Sequence, residues 1–210
     1  MHGIGVLFRR RKERVMFGVR TIQKFALAAC LAFASFLAIS VQPAEVIAQD
    51  TDKITMQFIG FGANPDFYAI LQSSKLGGKS LVIYQIGGQG PKLVYPLTKT
   101  SLEAALQSKE VAPFGIQANY VAGMAAPAGY QLGGMVIGET LQLTLSAGQQ
   151  SMTLGYAPIF SNPTKTKVAQ MSIVNAFWTP DSKRVVIILH QTLDGDWPVD
   201  SDVIAAYTLG

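Results

Sequence analysis

Between Glu139 and Tyr156 the chain alternates in steps of two, and no other feature restricts its possible folds so sharply. Leu141, Leu143 and Leu145 alternate with Thr140, Gln142, Thr144 and Ser146. After Ala147-Gly148 the pattern resumes, with Met152, Leu154 and Tyr156 alternating with Ser151 and Thr153. Period-two alternation specifies strands with one buried and one wet face. With Ala147-Gly148 as a two-residue turn, Ser146 stands opposite Gln149, Leu143 opposite Met152 and Leu141 opposite Leu154, all apolar side chains on one face. The segment reads as a β-hairpin.

The rest of the chain from Gln49 shows short apolar runs broken by glycine and proline, the pattern of an all-β domain. Strands are expected at Ile54–Phe61, Phe67–Gln72, Leu81–Ile86, Lys92–Leu97, Ile173–Trp178, Arg184–Gln191 and Val203–Leu209. The run Val185-Val186-Ile187-Ile188-Leu189 lacks alternation, which suits a strand covered on both faces. One short helix interrupts the pattern: Thr100 and Glu103 have capping-box spacing, and Leu102, Ala105 and Leu106 share a side of it. The segment Ala112 to Gly134, rich in Gly, Ala and Pro, reads as loops and weak strand. Gly87-Gly88-Gln89-Gly90-Pro91 is followed by a strand-like Lys92-Leu93-Val94-Tyr95 rather than a helix, so it connects a hairpin and is not a phosphate cradle.

Phe61-Gly62-Ala63-Asn64-Pro65-Asp66-Phe67-Tyr68-Ala69-Ile70-Leu71 lies gaplessly over Trp178-Thr179-Pro180-Asp181-Ser182-Lys183-Arg184-Val185-Val186-Ile187-Ile188. Each copy is an aromatic ending a strand, a turn, then an apolar strand. Pro180 presets the turn's φ, and Asp181 can bond the backbone beyond it. The stretch from Phe177 to Ile187 resembles the aromatic-Ser-Pro-Asp-Gly-Lys turn and strand of TolB-type and WD-repeat propeller blades, with Ser182 at the position glycine usually fills. The exported chain as a whole resembles bacterial predicted secreted proteins of unknown function that carry such a turn near each end. The resemblance implies blade-like antiparallel sheets, the motif itself being a structural turn rather than an active site. With blades of roughly 40 residues and two signatures, the expectation is a single all-β domain over 49–210: an antiparallel β-sandwich or an open pair of propeller-blade-like sheets, with one short helix.

The formal net charge of +4 belongs to the N-terminus. Seven basic residues lie up to Lys24, whereas ten basic and eleven acidic residues follow from Gln49 onward, so the charge carries no expectation of nucleic-acid binding. The basic stretch leads into an uncharged run, Phe25 to Val41, and then to Val46-Ile47-Ala48 before Gln49. These are the three parts of a secretory signal peptide over residues 1–48, with cleavage after Ala48, and the segment from Met16 is a complete signal by itself. The expected destination is the periplasm or the outside of the cell, with no stable membrane span after cleavage. Retention of the 17-residue run as an N-terminal anchor is the alternative, since a span needs about 20 apolar residues. Leu27-Ala28-Ala29-Cys30 matches a lipobox, but the apolar run continues well past Cys30, the wrong context for lipidation.

After cleavage one histidine, His190, and no cysteine remain, which excludes thiol chemistry and a Cys/His zinc site. His190 shares a strand face with Val186 and Ile188, and no G-x-S-x-G elbow supplies a nucleophile, so it reads as a histidine ending a core strand. The acidic loop Asp194-Gly195-Asp196-Trp197-Pro198-Val199-Asp200-Ser201-Asp202 is the densest polar cluster. Asp194, Asp196, Asp200 and Asp202 are candidate oxygen ligands for Ca²⁺, although their spacing is not that of an EF-hand. The bland reading is a solvated loop whose acids keep a strand edge from pairing. Trp178 reads as core, and Trp197 is a candidate for stacking on a sugar or a partner side chain. The expected function is a binding or interaction module of the cell envelope, with another envelope protein or a glycan as partner, no cofactor and no catalytic machinery. The alternative is an envelope hydrolase or a calcium-dependent binder using the acidic loop.

Overall fold

The computed structural model describes residues 53–196 and 198–209. The signal-like segment, Ala48, Cys30 and Trp197 lie outside the described residues. In chain order the elements are β1 (Ile54–Phe61), β2 (Phe67–Ser74), β3 (Gly78–Gln85), β4 (Pro91–Pro96), α1 (Leu102–Leu106), a 3-10 turn (Ala112–Phe114), β5 (Val121–Ala122), β6 (Gln131–Ile137), β7 (Thr140–Ala147), β8 (Gln150–Pro158), β9 (Gln170–Trp178), β10 (Arg184–Leu193) and β11 (Val199–Thr208). They form three antiparallel sheets: β1-β2-β3-β4, β11-β10-β9-β5 and β6-β7-β8. The fold is all-β and sandwich-like, with one short α-helix among the described residues.

The sheets stack because β10 is apolar on both sides. Val185, Ile187 and Leu189 pack with Leu132, Leu141, Leu143 and Leu145 of the β6-β7-β8 sheet. Val186 and Ile188 pack with Phe58, Tyr68, Ile70 and Val82 of the β1–β4 sheet. The β11-β10-β9-β5 sheet is therefore the middle layer of three. Phe58 stacks on Phe177 with ring centroids 4.5 Å apart, and Tyr120 meets both rings edge-on. Trp178 is fully buried, its indole Nε1 donating to the Gly123 carbonyl at 2.8 Å. On the far side of the β1–β4 sheet, Ala69, Leu81 and Ile83 are covered by Ala105 of α1 and by Val111. The cap of α1 is Ser101, one residue after the expected Thr100: the Ser101 hydroxyl accepts from the Ala104 amide at 3.2 Å.

The turn between β1 and β2 and the turn between β9 and β10 come together. Arg184 Nε donates to Asp66 Oδ1 at 2.7 Å, joining the second turn to the first. Within the second, the Thr179 hydroxyl donates to Asp181 Oδ1 at 2.6 Å and the Lys183 amide to the same atom at 3.1 Å. These bonds, the Thr179 hydroxyl first, hold the Asp181 carboxyl below its ordinary range. Ser182 adopts a left-handed φ of 56°, a backbone that glycine reaches most readily, and its hydroxyl accepts from the Ala128 amide at 2.9 Å. A glycine would relax the backbone and lose that bond.

The hairpin forms where expected, but its register differs. The turn is Gly148-Gln149, closed by Ala147 opposite Gln150, with Gly148 at φ 59°. A primed turn needs a left-handed first central residue, so the glycine takes that place and the turn starts one residue later than expected. Leu145 faces Met152 and Thr144 faces Thr153, but Leu143 faces Gly155, leaving Leu154 as an extra, bulged residue. The bulge reverses the parity of everything after it. Tyr156 therefore stands opposite Gln142 on the outer face, 60% exposed, instead of in the core, and Met152 lies 54% exposed close to the turn. Gly155 has no room for a side chain, since a Cβ there would lie 2.6 Å from the Tyr207 ring.

Leu143 is fully buried between the second and third sheets. Leu143→Asp should cost about 3 kcal/mol or more, whereas Thr144→Asp on the outer face should cost under about 0.5 kcal/mol. Urea melts of the two variants measure the contrast, and equal losses would mean that the faces are assigned wrongly.

Candidate functional site

The acidic loop does not act as one unit. Asp194 and Asp196 are exposed between β10 and β11, and the Asp194 carbonyl accepts from Lys167 Nζ at 3.5 Å. A shallow concavity of about 320 Å³ lies between Lys167 and Asp194. Asp200 and Asp202 lie on β11 and turn toward β1. Asp202 Oδ2 accepts from the Met56 amide at 2.8 Å and its Oδ1 lies 2.8 Å from His190 Nδ1. Asp200 Oδ1 is 3.4 Å from His190 Nε2, and Lys53 Nζ donates to Asp200 Oδ2 at 2.7 Å. Among the described residues no group of three or more His, Cys, Asp or Glu side chains is disposed to hold a metal ion.

This cluster works as a clasp. The free edge of β1 presents its amides to β11, and side chains satisfy them in place of a ladder: Asp202 takes Met56 and the Ser201 hydroxyl takes Ile54 at 3.4 Å. Both nitrogens of His190 face carboxylates, Nδ1 that of Asp202 and Nε2 that of Asp200. The second concavity, of about 280 Å³, lies between the β1–β2 and β9–β10 turns, lined by Gly62, Pro65, Asn119, Thr179 and Asp181. Its only carboxylate is already engaged by Thr179 and Lys183.

The third sheet differs in kind from the other two. Between Glu110 and Lys165 the only charged side chain is Glu139, so β6, β7 and β8 carry none. The sheet exposes Met135 (59%), Val136 (50%) and Ile137 (47%) along β6, beside Tyr156. Met135, Gln142 and Tyr156 form one row across its outer face, with Gln142 Nε2 donating to Thr153 Oγ1 at 2.8 Å and to the Tyr156 hydroxyl at 3.3 Å. The surface is neutral: apolar at one edge and hydroxyl- and amide-bearing beside it.

The β6 edge is the least protected in the described structure. Exposed edges ordinarily carry charge, proline or a bulge that blocks pairing with another chain. β1 has a bulge between Phe58 and Gly60 and the Asp202 clasp. β4 has proline at both ends, β8 has its bulge and Pro158, and β11 carries Asp200 and Asp202. β9 is bulged at Val174, and β5 covers only its last two residues. β6 has no charge and no proline, and its register with β7 runs unbroken from Gln131↔Ser146 to Ile137↔Thr140. The Leu132 amide points away from β7, donating to the Met124 carbonyl at 2.8 Å. Alternation therefore aims the backbone of Gly134 and Val136 outward too. Sequence reading missed this strand because Gly133-Gly134 and the Ala- and Pro-rich approach mask its alternation; the charge-free stretch around it was the available signal.

Compared with known proteins, the chain matches no family model, no curated protein and no solved structure. Among the described residues no helix is long and apolar enough to cross a membrane.

The clasp separates two aspartates that the sequence presents as equals. Asp202→Ala leaves the partly buried Met56 amide without its acceptor and should cost about 1–3 kcal/mol. Asp200→Ala breaks a pair whose side chains are 57% and 50% exposed and should cost under about 1 kcal/mol. Thermal melts of the two variants give the ranking, and a larger loss from Asp200→Ala would rule out the clasp.

Proposed function

We propose that this chain is an exported binding module of the cell envelope that engages a protein partner through the open edge of β6. The observation that carries this reading is the unprotected edge. A neutral strand with outward backbone groups and exposed Met135, Val136 and Ile137 is a template for strand addition, in which the main chain supplies affinity and alternate side chains supply selectivity. Several observations favour binding over hydrolysis. Both concavities are shallow, the carboxylate in one is bonded within its own turn, and His190 has a carboxylate at each nitrogen. Export rests on the sequence: seven basic residues up to Lys24, the apolar run from Phe25 to Val41, and Val46-Ile47-Ala48 before Gln49.

Two measurements test the reading. Intact mass of the protein from the envelope or medium should correspond to a chain starting at Gln49; a cytoplasmic chain retaining its first 48 residues would contradict export. A photo-crosslinking residue at position 135 should give a discrete protein adduct in intact cells, and the same residue at exposed position 79 on β3 should not. Equal labelling from both positions, or none from 135, would remove β6 as the site.

A further inference from the structure

We infer that the partner of the β6 edge is a second copy of this chain, paired antiparallel across a two-fold axis through Met135. The inference rests on the reading of β6 as the binding edge and adds the identity of its occupant.

Five residues of the edge are open. Upstream of Gly133, the Leu132 amide is taken by Met124 and Gln131 bridges to Ala125, so the loop from Met124 to Tyr130 covers the outer side of the strand. Downstream, the chain turns at Gly138-Glu139 after Ile137 pairs with Thr140. The open segment Gly133–Ile137 is thus centred on Met135. Its outward groups belong to Gly134 and Val136, one on each side of that centre. In an antiparallel pair, residues facing each other exchange both backbone bonds when their groups point inward to the pair. A two-fold at Met135 sets Gly134 opposite Val136 of the second copy and Val136 opposite its Gly134. Every outward amide and carbonyl of the open segment is then matched, and no end hangs over.

The side chains fit the same axis. In this register Val136 faces a glycine and Ile137 faces Gly133, so each β-branched group meets the residue type that takes least space. The two Met135 side chains meet at the axis, where a flexible thioether packs against its own copy without a shape clash. Charge points the same way: a homotypic contact brings each charge near its own image, and β6 has none to repel. A foreign strand would need no such symmetry about Met135. The contact is short, so the dimer should be weak and exchanging, with Kd on the order of 10–100 μM.

The test is sedimentation equilibrium of the purified protein as recovered from cells, between about 1 and 500 μM. The wild type should pass from one to two copies. Met135→Lys alone and Met135→Glu alone should each weaken self-association by about tenfold or more, because like charges then face each other. An equimolar mixture of the two should recover association to at least the wild-type level. Val136→Pro removes an outward amide, not one used in the ladder with β7, so it should abolish association while keeping a wild-type urea melt. A wild type that stays monomeric, a dimer indifferent to Met135→Lys, or variants that fail to recover on mixing would each overturn the inference. The binding reading fails separately. A monomer that still gives a position-135 adduct of a different mass keeps the reading and loses the second copy, whereas a monomer without any adduct loses both.

Discussion

The fold depends on β10 having no wet face. A strand with Val185, Ile187 and Leu189 on one side and Val186 and Ile188 on the other must be covered twice, and at roughly 1.5–3 kcal/mol per buried aliphatic side chain neither cover can be dispensed with. Its own sheet cannot supply those covers, because neighbours in a sheet protect edges rather than faces. The β1–β4 sheet takes one side and the β6-β7-β8 sheet the other. The outer sheets then diverge: the first is covered again on its far side by α1 and the 3-10 turn, while the third meets solvent with hydroxyls and amides and no ions.

How much of this could be read in advance follows from how local each determinant is. The absence of alternation in β10 is a local pattern, and so is the alternation of β7; both strands sit where the pattern places them. Bulges are not local in this sense. Leu154 looks like the next inward residue after Met152, and only the length of β7 opposite and the approach of Tyr207 to Gly155 decide that the chain steps out there. The cap of α1 at Ser101 instead of Thr100 is a one-residue choice between similar hydroxyls. β6 failed the pattern test because two of its seven residues are glycine. The acidic loop failed in another way: composition shows four aspartates within nine residues but not that two of them reach across to β1.

That reach shows what the charged residues do here. Asp202 is an acceptor for an edge amide and a partner for His190, and Asp200 pairs with Lys53 beside it. Of the four acids, Asp200 and Asp202 lie along the edge strand β11, and Asp202 also takes up an amide on the free edge of β1. Such protection is a common solution at the margins of a sheet, and it makes its omission at β6 meaningful.

An unprotected edge is a hazard unless its pairing is self-limiting. An edge that pairs with a different edge adds copies without end, whereas an edge that pairs with itself closes at two. If two β6 strands join, the combined sheet runs from one β8 to the other, and each β8 is interrupted by the Leu154 bulge and stopped by Pro158. The bulge that moves Tyr156 out of the core thus also ends the growing sheet. The loop from Met124 to Tyr130 limits the open segment to five residues, too few for a register slip of two to keep both Gly134 and Val136 matched. The protection missing from β6 is present one strand pair away, where it blocks polymerisation without blocking the dimer.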